Sequence, residues 1–103
     1  MTPDRNIAMS HTPPHIYTSR ADLDLIDARI RALDDEARVR VTLAGGACIE
    51  GVVSARPTLE TFRDAAGDEG HNALLRLDDL AAPDVPHFFW VGDIRTIERI
   101  DKA

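Results

Sequence analysis

The residues able to do chemistry are few and scattered. Cys48 is the single cysteine of the chain, and it lies in an alternating apolar segment out of phase with Ile49. A reactive thiolate needs a neighbouring base or positive charge to lower its pKa. Glu50, two residues along the same face, would do the opposite, so Cys48 reads as a small half-buried filler. Four histidines occur, His11, His15, His71 and His87, and none is spaced with another or with Cys48 as metal ligands are. His11 and His15 are four apart but flank Pro13-Pro14, which forbids the helix that would put them on one face. Asp34-Asp35-Glu36 and Asp78-Asp79 read as solvated ends and turns. Gly45-Gly46 lacks the Lys-Ser/Thr of a phosphate-cradling loop and reads as a hairpin turn. No nucleophile, base and orienting group stand together. The expectation is a protein that is not an enzyme and binds no metal or other cofactor.

One pair suggests a binding site instead. Asp68 and Asn72 bracket a loop end, with His71 between them. Such side chains can read a nucleobase, or they can hydrogen-bond their own backbone and order the loop. The backbone role is the better supported of the two.

Composition narrows the partners. The 103 residues contain 12 basic and 18 acidic side chains, for a net charge of −6, spread over both halves. That field repels polyanions and argues against DNA or an anionic membrane as a partner. No apolar run approaches the ~20 residues needed to cross a bilayer. The N-terminus shows no apolar signal core, and one cysteine allows no internal disulfide, so a cytoplasmic location is expected. A chain this long forms one domain that buries roughly two thirds of its unfolded surface.

The elements follow from periodicity. Residues 1–16, with three prolines, read as a disordered or loosely docked lead-in, and Met9 is a second possible start. Residues 17–103 form the domain. Ser19 and Asp22 make a capping pattern, and Leu23, Ile26, Ile30 and Leu33 follow as one apolar stripe, which predicts a helix over about 19–34. Five strands follow over about 38–101: Arg38–Leu43, Ala47–Arg56, His71–Leu77, His87–Val91 and Arg95–Ile100. Between the second and third, Thr58–Arg63 can prolong a hairpin and Asp64–Gly70 reads as a loop tip. Gly51 shares a face with Ile49 and Val53, where a missing side chain marks a bend or a close backbone approach. Phe88-Phe89-Trp90 in one short strand implies cover on both faces, or an edge covered by a partner chain.

This arrangement resembles the Sm-like fold. Val39, Val41, Leu43, Gly46, Ile49, Gly51 and Val53 stand in register with its first motif. Asp68-Glu69-Gly70-His71-Asn72 is similar to the family's Asp-x-aromatic-apolar-Asn segment, and Val91-Gly92 stands where Arg-Gly opens the second motif. The resemblance covers about residues 19–101, and the whole pattern looks like that of uncharacterised small bacterial proteins with a variant Sm-like fold and no assigned activity. It implies a mainly β domain, with the helix capping a five-stranded, strongly bent antiparallel barrel. It also implies ring assembly in which the fourth strand of one subunit pairs with the fifth of the next. Phe88, Phe89, Trp90 and Ile97 are then the self-association residues of a homo-oligomer.

The departures weaken the family's RNA site. Gly70 replaces the base-stacking aromatic and Val91 replaces the arginine. Stacking is worth roughly 1–3 kcal/mol per base, so that loss is large. A non-catalytic binding or scaffold module is the leading expectation. The alternative is a weak single-stranded RNA binder using Asp68, His71, Asn72 and Arg95.

Overall fold

The computed structural model of the protein describes residues 13–100. Residues 1–12 and 101–103 lie outside the described residues, and with them most of the expected lead-in, including Met9 and His11.

Helix α1 spans Arg20–Arg31. Ser19 caps it, its hydroxyl oxygen accepting the Asp22 N–H at 3.1 Å. Ile26 and Ile30 are buried from its inner face, and Leu33 is buried just beyond its end. The helix stops earlier than the apolar stripe suggests. Asp34 pairs with Arg56 and, at 3.4 Å, with Arg99. Asp35 accepts the Arg56 backbone N–H, and Glu36 turns through a positive φ of 65°. Asp34 and Asp35 thus find donors on Arg56 and Arg99 later in the chain, which offsets the cost of acidic groups just past the negative helix end.

Among the described residues seven strands follow: β1 Arg38–Leu43, β2 Cys48–Val53, β3 Glu60–Arg63, β4 Glu69–Asn72, β5 Leu74–Asp79, β6 Pro86–Trp90 and β7 Ile94–Arg99. A short 3-10 turn, Val91–Asp93, joins the last two. Five strands form one antiparallel sheet in the order β6-β5-β2-β1-β7, and β3 and β4 form a separate hairpin. Val39, Val41, Val53, Leu75 and Leu77 point into the core, where they meet the buried face of α1. On the outward face Arg40 donates to Glu50 and to Glu98, each at 2.8 Å, tying β1 to both neighbours. Gly51 is a close-approach glycine: a Cβ there would stand 2.6 Å from the Asp78 carbonyl oxygen.

Two expectations need correction. The sheet is not a closed barrel. β6 and β7 are its two edges, because the 3-10 turn carries the chain from one edge to the other without pairing them. The expected third strand is divided at Ala73, whose N–H is taken by the Asn72 side chain at 2.9 Å and whose carbonyl accepts the Val91 N–H at 2.8 Å. Its first part becomes β4 and pairs with β3 instead of the main sheet.

Candidate functional site

Of the four nucleotide-site candidates, His71 and Asn72 are neighbours in β4, Asp68 lies in the loop before it and Arg95 lies in β7. Asn72 is only 1 % exposed. Its Nδ2 donates to the His15 carbonyl at 3.0 Å, and its Oδ1 accepts the N–H of Ala73 at 2.9 Å and of Gly92 at 3.0 Å. The amide is spent on three backbone groups. His71 beside it uses its backbone N–H and C=O on Tyr17, at 2.8 and 2.9 Å, and its Nδ1 lies 3.2 Å from the Thr61 hydroxyl. Asp68 sits in the exposed β3–β4 loop, where its N–H donates to Asp64 Oδ1 at 2.9 Å. Arg95 donates to the Ala44 carbonyl at 3.1 Å, on the β1–β2 turn. Among the described residues neither Asp68 nor Arg95 hydrogen-bonds Asn72.

Sequence reasoning misses Ile16 and Tyr17. The segment from Pro13 is docked: Pro13 is buried and Tyr17 forms an antiparallel bridge with His71. A Cβ on Gly70 would lie 2.9 Å from three carbons of Ile16. A Cβ on Gly92 would lie 2.4 Å from the Tyr17 ring. Gly70, the glycine that the Sm-like resemblance sets in the place of an aromatic, is therefore covered by Ile16. The available signal was Gly70 itself, since a glycine inside a strand marks close approach by other chain. Burial, with the charges of Asp93 and Asp22, raises the Tyr17 phenol above its ordinary value.

The self-association candidates lie at the sheet edges. Asp79 N–H donates to Val85 O at 2.9 Å and Val91 N–H to Ala73 O at 2.8 Å. These bonds bracket the β5–β6 ladder, so by antiparallel alternation the backbones of His87 and Phe89 face β5. Those of Phe88 and Trp90 face the open side. Phe89 packs on the core, whereas Phe88 is 57 % exposed. Trp90 meets Phe62 of the hairpin edge to face, with ring centres 5.6 Å apart. Ile97, on the opposite edge strand, is half-buried against the core. At the foot of β6, His87 Nε2 lies 2.9 Å from Asp79 Oδ1, while Asp79 Oδ2 accepts the N–H groups of Ala81 and Ala82. The His87 contact leads these bonds in holding the Asp79 carboxyl below its usual range. Cys48 is a free, exposed thiol with Thr42 Oγ1 at 3.8 Å, so it is not the half-buried filler expected. No helix among the described residues is long and apolar enough to cross a membrane.

The sequence profile of a domain of unknown function, DUF3247, matches residues 10–100. The chain belongs to the DUF3247 family. This DUF3247 chain is also similar in structure to XC5848 from Xanthomonas campestris, whose crystal structure is described as adopting a novel variant of the Sm-like motif. The two share 36% sequence identity with a TM-score of 0.81, over 89% of this chain and 99% of that one. No curated protein matches the sequence. The DUF3247 fold met here is accordingly a mainly β, Sm-like variant, which over the described residues combines helix α1, a five-stranded open sheet and the β3–β4 hairpin.

Proposed function

We propose that this DUF3247 protein is a non-catalytic binding or scaffold module that self-associates through a strand edge. The observation that carries the reading is the β6 edge. It has no Asp, Glu, Lys or Arg among Pro86–Trp90, it presents Phe88, and it turns the backbone groups of Phe88 and Trp90 outward. Natural proteins blunt free edges with charge, and β7 carries Arg95, Glu98 and Arg99. An uncharged aromatic edge suits a partner strand. On the Sm-like plan that partner is β7 of the next copy, with Ile97 beside it and α1 covering one end of the bent sheet. The lone cysteine suits a cytoplasmic, reducing setting.

Size-exclusion chromatography with light scattering tests the reading. The unmodified chain is expected above monomer mass at micromolar concentration, and Phe88→Asp is expected to be a folded monomer. A monomeric unmodified chain overturns the edge assignment. The competing function, weak binding of single-stranded RNA, is tested with labelled oligo-U and oligo-A at low salt, where electrostatic attraction is strongest. Its weakness is the Ile16 cover over Gly70. Micromolar binding that His71→Ala abolishes would make RNA the better reading.

A further inference from the structure

The segment ahead of α1 is held as a bound peptide is held. Tyr17 and His71 exchange both backbone hydrogen bonds, at 2.8 and 2.9 Å. The Asn72 amide clips the carbonyl of His15, two residues earlier. Ile16 and Tyr17, adjacent in an extended chain, send their side chains to two glycine seats, Gly70 and Gly92. Neither seat tolerates a Cβ while occupied, because the carbons of Ile16 and Tyr17 would be 2.9 and 2.4 Å away. Main-chain bonds to a strand edge with pockets for neighbouring side chains are the elements of recognition by strand addition.

The tether is short and the ladder minimal. Thr18 alone separates Tyr17 from the helix cap Ser19. A single bridge joins Tyr17 to β4, whereas the β3–β4 ladder runs over four residue pairs. Elements with few ladder bonds open at lower cost than core strands. Once open, the seat is complementary to one sequence above all, the segment that left it. A second copy carries the same segment, and exchange would recreate every contact without a new surface.

The geometry points to a peptide-docking site on β4, formed by Gly70, His71, Asn72 and Gly92, that reads an extended aliphatic–aromatic pair and passes between its own Ile16–Tyr17 and the same segment of a second copy. The site includes Gly92 of the turn that leaves β6, but it does not depend on the open edge of that strand.

A fluorescent synthetic peptide of residues 13–20 is the probe, and anisotropy is the readout. Full-length Tyr17→Ala, with its own segment weakened and its seats intact, should bind the peptide saturably. The unmodified chain should bind it at least about tenfold more weakly, because only the opened fraction is competent. Adding Gly70→Val to Tyr17→Ala should abolish binding, as should an Ile16→Asp change in the peptide. Full-length Gly70→Val, whose own segment has lost its seat, should displace the peptide from Tyr17→Ala. The site is overturned if Tyr17→Ala, shown folded by a cooperative thermal transition, fails to bind at millimolar peptide or binds the Ile16→Asp peptide equally. Failure of Gly70→Val to compete overturns exchange between copies. If Tyr17→Ala does not fold, Ile16→Ala takes its place in the same measurements.

Discussion

Asn72 Oδ1 accepts the backbone N–H of Gly92 at 3.0 Å, joining the end of β4 to the turn between the two edge strands. The same side chain holds Ala73 and His15, so one buried amide fastens three separated stretches of backbone. Its role here is mechanical. Removing it would leave the N–H of Ala73 and Gly92 without that acceptor.

Asn72→Ala is accordingly expected to destabilise the fold by about 3 kcal/mol, the cost of stranding buried polar groups. Urea titration measures the loss, and Tm should fall by more than about 10 °C. A near-normal Tm together with lost oligonucleotide binding would instead mark Asn72 as a ligand contact.

Gly51→Ala places a Cβ against a carbonyl oxygen that belongs to a paired strand and cannot swing away. A loss on the order of 1–3 kcal/mol is expected from such overpacking. Gly45→Ala is the control, because a Cβ there meets nothing within 4 Å. Its effect should stay within about 0.5 kcal/mol. Equal denaturation midpoints for the two variants would contradict the close approach.

Tyr17 is the only tyrosine, so the near-ultraviolet tyrosinate band reports its ionisation alone. The midpoint should lie above 10.0 in the folded chain, chiefly through burial, with Asp93 and Asp22 adding to it. The folded state keeps the phenol proton that the unfolded state gives up. This contribution to stability is therefore complete below pH 10.0 and is lost as pH rises through the raised folded value. Tyr17→Phe should flatten that alkaline limb.

Asp79 has the opposite sign. Its folded carboxyl titrates below 3.8, first because of the His87 hydrogen bond and then the Ala82 N–H. Its contribution to stability is present above 3.8 and is lost as pH falls through the lower folded value. Carboxyl carbon chemical shifts followed by NMR should show the midpoint moving back toward 3.8 in His87→Ala. No movement would mean that the backbone donors hold it down unaided.

The local parts of this fold were legible in the sequence. Alternation at Val39, Val41 and Leu43 placed β1 at its observed bounds, and Ser19 marked the helix start. Gly51 announced a close approach by its missing side chain. Each signal lies within a few residues of what it predicts, because periodicity and caps are properties of one element. The site was less legible. Asn72 could be seen as an ordering residue, but its partners His15 and Gly92 lie 57 and 20 positions away. The glycine at position 70 was visible, whereas Ile16 as the group that fills its space was not.

By itself, then, the sequence determined a small, acidic, mainly β domain with a capped helix, an Sm-like first hairpin and an uncharged aromatic strand. Tertiary structure decided that the sheet stays open, that His71–Asn72 leaves it to pair with β3, and that Ile16 and Tyr17 dock against Gly70 and Gly92. The physical reason is range. Apolar period and turn chemistry are written between neighbours, while strand partners and the occupant of a glycine's empty face are chosen only when distant segments meet.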